Sequence, residues 1–167
     1  MSRKRQVILK SEGQQDIAVK AAAELRRIAI DLLSRREHSS VELRQKLRQK
    51  GGQEEDIDTV LAWCQLQNYQ CDRRYCAMLI RSKVAKGYGP LLMMQAARAQ
   101  GLERELVMNV LAELDIDWFA LALKQYQKKF ATLAIKDFQD KQKRMGFLQR
   151  RGFNAEQVQY AIQHQDS

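Results

Sequence analysis

The sequence has little proline, glycine or cysteine and no long apolar run. Its 167 residues include one proline, eight glycines and three cysteines. No stretch of roughly 18 apolar residues occurs, so we predict no membrane-spanning helix. The start, MSRKRQVILK, lacks the apolar segment of a signal peptide, and we therefore expect a cytoplasmic protein. In that reducing compartment, Cys64, Cys71 and Cys76 are expected to be free thiols.

Residue patterns that carry catalysis or bind metals are also absent. The two histidines, His38 and His164, have no serine, cysteine or carboxylate at a spacing that suggests a triad. The cysteines do not have zinc-ligand spacing, and the acidic cluster 54–58 lacks the glycine of a calcium loop. We expect no enzymatic activity, no metal and no cofactor, with a hydrolase or transferase as the weakest alternative. His38 is expected to be an exposed turn residue.

Acidic residues are too few to balance the basic ones. Lys and Arg number 29 against 20 Asp and Glu, which gives a formal net charge of +9. This surplus predicts an anionic partner, either nucleic acid or an acidic protein surface. Residues 73–100 contain no acid, whereas residues 51–72 contain no Lys or Arg. The segregation predicts a basic stripe on one face, although ordinary solvated helix faces also produce charge runs.

The residues that are abundant favour helices throughout. Ala, Leu, Gln, Arg, Lys and Glu are strong helix formers, and no segment alternates apolar and polar residues as a strand would. Apolar residues between positions 17 and 33 follow three- and four-residue steps, which predicts an amphipathic helix. In the segment SSVE, Ser39 precedes Glu42 by three residues, which predicts a capping box at the start of the next helix.

The sequence also repeats with a period of about fifty residues. When Gly51, Gly101 and Gly152 are aligned, apolar residues recur four positions before each glycine and six, nine and ten positions after it. These residues are Leu47, Ala97 and Leu148, then Ile57, Val107 and Val158, then Val60, Val110 and Ala161, then Leu61, Leu111 and Ile162. A repeat of this length predicts an all-α fold, an elongated, curved array of three tandem three-helix repeats. The predicted boundaries are a flexible basic segment over 1–16 and repeat units over 17–70, 71–114 and 115–167.

The only proline stands in the stretch KGYGP, residues 86–90. A glycine-rich turn in a basic protein could bind a phosphate, but a phosphate-binding loop needs a preceding strand and a following Lys-Ser/Thr pair. Both are absent. The repeat places Gly89 opposite Ser39, so we predict that Gly89 is an N-cap, Pro90 the first helical residue and Gly87 the end of the preceding helix. Lys86 and Tyr88 remain free to contact a partner in this arrangement.

Four segments of the chain resemble the RecX family. They are LLSRREHSSVELRQKLRQKG at 32–51, VLAWCQLQNYQCDRRYCAMLIRSKVAKGYGP at 60–90, DIDWFALALKQYQKKF at 115–130 and FLQRRGF at 147–153. The resemblance covers roughly residues 22–165 in the same order. Two departures are Gln70-Cys71-Asp72, where the family has Leu-Asp-Asp, and Ala97-Arg98, where it has a leucine and a polar residue.

The resemblance implies a regulatory protein rather than an enzyme. RecX-type proteins bind the RecA recombinase, lodge in the groove of the RecA–ssDNA filament, and inhibit filament growth, ATPase activity and strand exchange. They thereby modulate recombination, DNA repair and the SOS response, and some also bind DNA directly. For this chain we therefore expect RecA and its ssDNA filament as partners, with direct DNA binding as a further expectation, no membrane association, and a monomeric state.

The basic residues of the repeats are the candidate contacts for this partner. Equivalent helices of a helical array line the same side, so their charges can act together. The candidate residues are Arg35, Arg36, Arg44, Arg48, Arg73, Arg74, Arg81, Lys83, Lys86, Tyr88, Arg98, Lys143, Arg144, Arg150 and Arg151. An alternative is a DNA-binding protein of the helix-turn-helix type, although no helix start shows the Arg, Asn and Gln pattern of a recognition helix.

Overall fold

A computed structural model describes the backbone of residues 3–130 and 133–164, with side chains from residue 19 onward within those ranges. All regular elements among these residues are helices. They are α1 (Arg3–Arg35), α2 (Ser40–Gln49), α3 (Glu54–Leu66), α4 (Asp72–Ala85), α5 (Pro90–Ala99), α6 (Arg104–Leu114), α7 (Trp118–Phe130), α8 (Phe138–Arg150) and α9 (Ala155–Gln163). The predicted flexible segment 1–16 lies outside the residues whose side chains are described, and its flexibility stays a prediction.

The helices group in threes, as the repeat predicted. The chain divides into two compact units, Met1–Asp72 and Arg73–Ser167. The first unit contains α1, α2 and α3, and the second contains the two later groups, α4–α6 and α7–α9. The expected all-α fold with three three-helix repeats is therefore confirmed. None of the described helices is long and apolar enough to cross a membrane.

The aligned glycines occupy one conformation at one place in each repeat. Gly51, Gly101 and Gly152 follow the second helix of their groups with φ values of +87°, +69° and +86°. This left-handed conformation is easily reached only by glycine, and it ends the helix. After α2, the N–H of Gly52 returns to the carbonyl of Leu47 at 3.1 Å. The N–H groups of Leu102 and Phe153 make the same bond to Ala97 and Leu148. The glycine period is thus a helix-termination motif repeated three times.

The aligned apolar residues form the cores. Each three-helix group has its own cluster of buried side chains. Leu47, Ala97 and Leu148 are at most 1 % exposed, so the alanine of the middle repeat keeps the buried position of the leucines. Six positions after the glycines, Ile57, Val107 and Val158 are buried, and Cys64 and Cys76 are also core residues. The fold is stabilised chiefly by this apolar burial.

The helix starts were predicted partly correctly. The Ser39 hydroxyl accepts a hydrogen bond from the N–H of Glu42 at 3.0 Å, which confirms Ser39 as N-cap. The reciprocal half of the predicted capping box was wrong, because the Glu42 carboxylate accepts hydrogen bonds from the Arg36 guanidinium instead. A complete capping box occurs at α9, between Asn154 and Gln157. Glu42 therefore ties the α1–α2 turn to α2.

The KGYGP stretch is the turn between α4 and α5. Gly87 has φ +76° at the end of α4, Gly89 is the N-cap of α5, and Pro90 begins that helix. Proline is accommodated there because the first helical N–H has no partner within the helix. The predicted turn between two helices is confirmed.

Candidate anion-binding surface

The α4–α5 turn is hydrogen-bonded to the α8–α9 turn. The N–H of Gly89 donates to the carbonyl oxygen of Arg151 at 2.7 Å, and the N–H of Leu91 donates to that of Gly152 at 3.0 Å. Neither glycine has room for a side chain. A Cβ on Gly89 would lie 2.5 Å from the carbonyl carbon of Gly152, and one on Gly152 would lie 2.6 Å from the backbone nitrogen of Leu92. We call this contact the joint.

The Arg151 side chain stabilises the joint through hydrogen bonds to the α4–α5 turn. Its Nη1 donates to the carbonyl oxygens of Lys86 and Gly87, at 3.1 and 3.3 Å. Its guanidinium carbon lies 5.9 Å from the centre of the Tyr88 ring and 5.0 Å from that of Phe147. Both distances are within the range of cation–π attraction. Arg151 is therefore held in one position while it adds positive charge to the surface.

A second cation lies near the same tyrosine. The Lys83 ammonium is 5.4 Å from the centre of the Tyr88 ring. Lys83, Tyr88, Arg151 and Phe147 thus form a continuous series in which cations and aromatic rings alternate. Surfaces that combine cations with half-exposed rings suit anionic partners that also have flat groups.

Two pockets border this series. A pocket of about 220 Å³ is lined by Lys86, Gln125, Lys128, Lys129, Phe147 and Arg151. A second pocket of about 400 Å³ is lined by Lys83, Tyr88, Leu92, Gln95 and Ala96. Among these described lining residues there is no carboxylate, so the local charge is strongly positive. We define the joint surface as Lys83, Lys86, Tyr88, Lys128, Lys129 and Arg151.

Sequence reasoning found four of these six residues and missed two. Lys83, Lys86, Tyr88 and Arg151 were candidates, whereas Lys128 and Lys129 were not. The signal was the segment KQYQKK, in which Gln125 and Lys129 are four residues apart and therefore share a helix face. That this face of α7 lies beside the α4–α5 turn depends on tertiary packing, which local sequence patterns do not reveal.

The candidate arginines of the first unit have acidic partners. Arg35 pairs with Asp31 at 2.9 Å, and Arg36 pairs with Glu42. Arg48 pairs with Glu54 at 2.6 Å. Arg44 bridges Glu54 and Asp58. These mostly exposed pairs contribute little stability, but they neutralise much of the positive charge predicted for this region.

The remaining candidates of the second unit do not line the two pockets. Arg73 is exposed and pairs with Glu113, and Arg74 is half-buried. Four other candidates are exposed and line neither pocket, namely Arg81, Arg98, Lys143 and Arg150. The structure therefore brings together only part of the predicted set.

Arg144 has a different environment from the other candidates. It is 3 % exposed, and its guanidinium donates to the Tyr126 hydroxyl at 2.7 Å and to the carboxylate of Asp140 at 2.8 Å. It also donates to the carbonyl oxygens of Leu133 and Ala134, at 2.7 and 3.1 Å. The bond to Arg144 is the first cause of the lowered pKa of Asp140. These bonds hold the guanidinium inside the α7–α9 group, so Arg144 is not part of the joint surface.

The expectation that His38 is exposed was wrong. Its side chain is 3 % exposed, and its Nδ1 lies 3.0 Å from the carbonyl oxygen of Arg36. Burial lowers the pKa of His38 and outweighs the nearby Glu42 carboxylate, which raises it. The buried side chain of Gln70 donates to the carbonyl of His38 at 3.1 Å. The SRREHS motif thus packs against the end of the first repeat.

The first unit also contains a polar cap between distant residues. The Asp72 carboxylate accepts from the N–H of Ser40 at 2.8 Å and from its hydroxyl at 2.9 Å. Gln70 donates to the same carboxylate at 2.8 Å. Gln70 and Asp72 belong to the segment that departs from the family pattern, so the departure preserves a carboxylate at the start of α2.

No group of metal-ligating side chains occurs among the residues that the structure describes. All three cysteines are free thiols, and burial raises the pKa of Cys64. A raised pKa lowers the thiolate fraction and hence the reactivity of this thiol.

The fold and the joint surface indicate the class of protein. It is a helical repeat protein with a basic and aromatic surface suited to an anionic partner. Comparison with known families then identifies the three repeats. The first, second and third three-helix domains of RecX match residues 26–64, 72–111 and 115–162. The chain belongs to the RecX family.

Relatives from several bacteria support this membership. The chain is 38 % identical to the regulatory protein RecX of Vibrio parahaemolyticus over 138 residues, which cover 83 % of this chain and 89 % of the relative. It is 36 % identical to that of Legionella pneumophila, over 78 % of this chain and 87 % of the relative. The crystal structure of RecX from Lactobacillus salivarius has the same fold, with a TM-score of 0.77 and 17 % identity over 89 % of this chain and 98 % of that one.

Proposed function

We propose that this protein binds the RecA recombinase and its ssDNA filament and inhibits filament growth, ATPase activity and strand exchange. It acts by occupying a surface and catalyses no reaction of its own. In this role it modulates recombination and repair in the cytoplasm as a monomer. Membership of a family of regulatory proteins supports a regulatory role.

The observation that carries the proposal is the joint surface. A filament that contains single-stranded DNA offers phosphates, and basic surfaces on its partners complement them. In the joint surface Lys86, Lys128 and Lys129 have no carboxylate partner among the described residues. The arginines of the first unit differ, because intramolecular carboxylates already neutralise them. We therefore assign the filament contact chiefly to the joint surface.

The decisive experiment is the steady-state ATPase activity of RecA on single-stranded DNA. The protein is added at concentrations well below that of RecA. Inhibition at substoichiometric amounts is expected, because one molecule bound to a filament affects many RecA protomers. Inhibition that requires one molecule for each RecA would point to sequestration of RecA, and no inhibition would reject the proposal.

The second candidate function is sequence-tolerant DNA binding without RecA. The net charge of +9 favours it. In that case the protein binds random DNA with a steep salt dependence and leaves the RecA ATPase unchanged at substoichiometric amounts. The RecA ATPase assay and the salt dependence of DNA binding therefore separate the two candidate functions.

A further inference from the structure

The two pockets beside the joint have different chemistry. In the pocket of about 220 Å³, four of the six lining side chains are cations, namely Lys86, Lys128, Lys129 and Arg151. Cations held this close repel one another, and a bound anion relieves that repulsion. Only Nη1 of Arg151 donates to other described residues, so its other N–H groups are available to an anion. We call this the cationic pocket.

The second pocket suits a flat, uncharged group. It is lined by the Tyr88 ring, by the apolar side chains of Leu92 and Ala96, and by the amide of Gln95, with Lys83 at one side. A half-buried ring offers a stacking surface, and an amide can donate and accept hydrogen bonds at the edge of a heterocycle. We call this the ring pocket.

One pair of side chains joins the two pockets. Arg151 lines the cationic pocket, and its guanidinium carbon is 5.9 Å from the centre of the Tyr88 ring, which lines the ring pocket. Hydrogen bonds from Arg151 to the backbone of the turn fix their relative position. A ligand with an anionic group beside a planar group can therefore occupy both pockets without rearrangement of the joint.

We propose that the two pockets form a subsite for one nucleotide of a single-stranded nucleic acid. The phosphate occupies the cationic pocket, and the base stacks on Tyr88 in the ring pocket. The inference deepens the proposed function, on which it rests for the source of the strand, and it assigns this contact to particular side chains.

A single strand fits these pockets better than a duplex or an acidic peptide. In a duplex the bases are stacked and paired, so a base cannot enter a protein pocket unless it is flipped out. An acidic peptide would satisfy the cationic pocket and leave the ring pocket without a matching group. Alternation of phosphate and base along a single strand matches both pockets, as in other single-strand binding surfaces.

The experiment measures binding of the full chain to a fluorescein-labelled oligothymidylate by anisotropy, over a range of salt concentrations and without RecA. K128Q/K129Q should weaken binding about tenfold or more and reduce the slope of log K against log salt by roughly one, because phosphate contacts are lost. Tyr88→Leu should weaken binding by about five- to a hundredfold with the slope unchanged, because stacking releases no counterions. Tyr88→Phe should bind like the unaltered protein.

K20Q/K50Q is the matched control, because it removes the same charge from exposed positions of the first unit. It should cost no more than about threefold in affinity. Unaltered circular dichroism for every variant excludes misfolding. Irradiation of an oligonucleotide that contains 5-iodouracil should cross-link it to Tyr88, as mapped by mass spectrometry.

Three results would overturn the inference. The first is a Tyr88→Leu variant that binds as tightly as the unaltered protein. The second is a K128Q/K129Q variant no weaker than the K20Q/K50Q control. The third is displacement of the oligonucleotide by a polyglutamate peptide or by thymidine monophosphate at an equal concentration of charge, which would indicate an acidic protein or a free nucleotide as the ligand. Loss of RecA inhibition has no part in these measurements, so the subsite and the proposed function can fail separately.

Discussion

The N–H of Gly89 donates a 2.7 Å hydrogen bond to the carbonyl oxygen of Arg151, 62 positions later in the chain. This bond brings the turn of one three-helix group against the turn of the next. Because each turn is short and has a glycine at the contact, Gly89 in one and Gly152 in the other, their backbones approach closely enough to pair directly. The cations and rings of the two turns then form one surface.

Replacement of Gly152 by alanine should disrupt the joint. Its φ of +86° is strained for alanine, and the new Cβ would lie 2.6 Å from the backbone of Leu92. Gly51→Ala is the matched control, since it has the same conformation with open space around the Cβ position. We expect Gly51→Ala to lower the free energy of unfolding by about 1 kcal/mol and Gly152→Ala by about 2–4 kcal/mol, measured by urea denaturation. Equal losses would show that the joint contributes nothing beyond the glycine conformation.

Charge reversal near the α4–α5 turn should impair inhibition of RecA. The variant R81E/K83E/K86E should raise the concentration needed for half-inhibition of the RecA ATPase by about tenfold or more. Two of the three reversed charges, at Lys83 and Lys86, lie on the joint surface and would repel an anionic partner. Its helicity should remain unchanged. K20E/K50E/R104E has the same net charge and alters exposed residues outside the candidate set, so it should inhibit almost normally. If both variants inhibit equally, these three residues do not form the contact.

Replacement of Arg144 should destabilise the third repeat. Arg144→Met keeps the length of the side chain but removes the guanidinium that donates to the Tyr126 hydroxyl and to two backbone carbonyls. The expected loss is about 3 kcal/mol in the free energy of unfolding. The free energy of unfolding of Arg144→Lys should lie between those of the unaltered protein and Arg144→Met, because an ammonium keeps the charge but cannot form the same forked hydrogen bonds. Lys143→Met, at the exposed neighbouring position, should change stability by less than about 0.5 kcal/mol. A similar loss for both methionine variants would contradict a structural role for Arg144.

Burial of His38 predicts a pH dependence of stability. Its pKa is lowered in the folded protein, so between that pKa and about 6.5 the unfolded chain binds a proton that the folded chain does not. The free energy of unfolding should therefore fall as the pH is lowered from 7 through about 6.5, by at most about 1.4 kcal/mol per pH unit. Glu42 beside it opposes this effect and limits its size.

Two variants isolate that contribution. His38→Gln removes the titrating group and should flatten the decrease between roughly pH 7 and 5.5. His164→Gln removes an exposed histidine and should leave the decrease as it is. Denaturant titrations at several pH values provide the comparison. A His38→Gln profile parallel to that of the unaltered protein would show that another group is responsible.

Much of the fold could be predicted from local rules. The glycine period located three helix ends because a left-handed residue ends a helix through its own backbone conformation. Ser39, Gly89 and Pro90 were assigned correctly because capping depends on the nearest few residues. His38 was assigned wrongly because its burial depends on Gln70, which lies 32 positions away and contributes a tertiary hydrogen bond.

The candidate surface was predicted less completely, because it also depends on contacts between residues that are distant in sequence. The sequence by itself determined the helices, their ends, their apolar stripes and the excess of positive charge, since these follow from composition and short spacing. Only the tertiary structure decided which charges act together. Carboxylates from neighbouring helices pair with Arg36, Arg44 and Arg48, the core encloses Arg144, and the joint places Lys128 and Lys129 beside Arg151. Charge pairing and pocket formation depend on distances between separate segments, and those distances are set by packing.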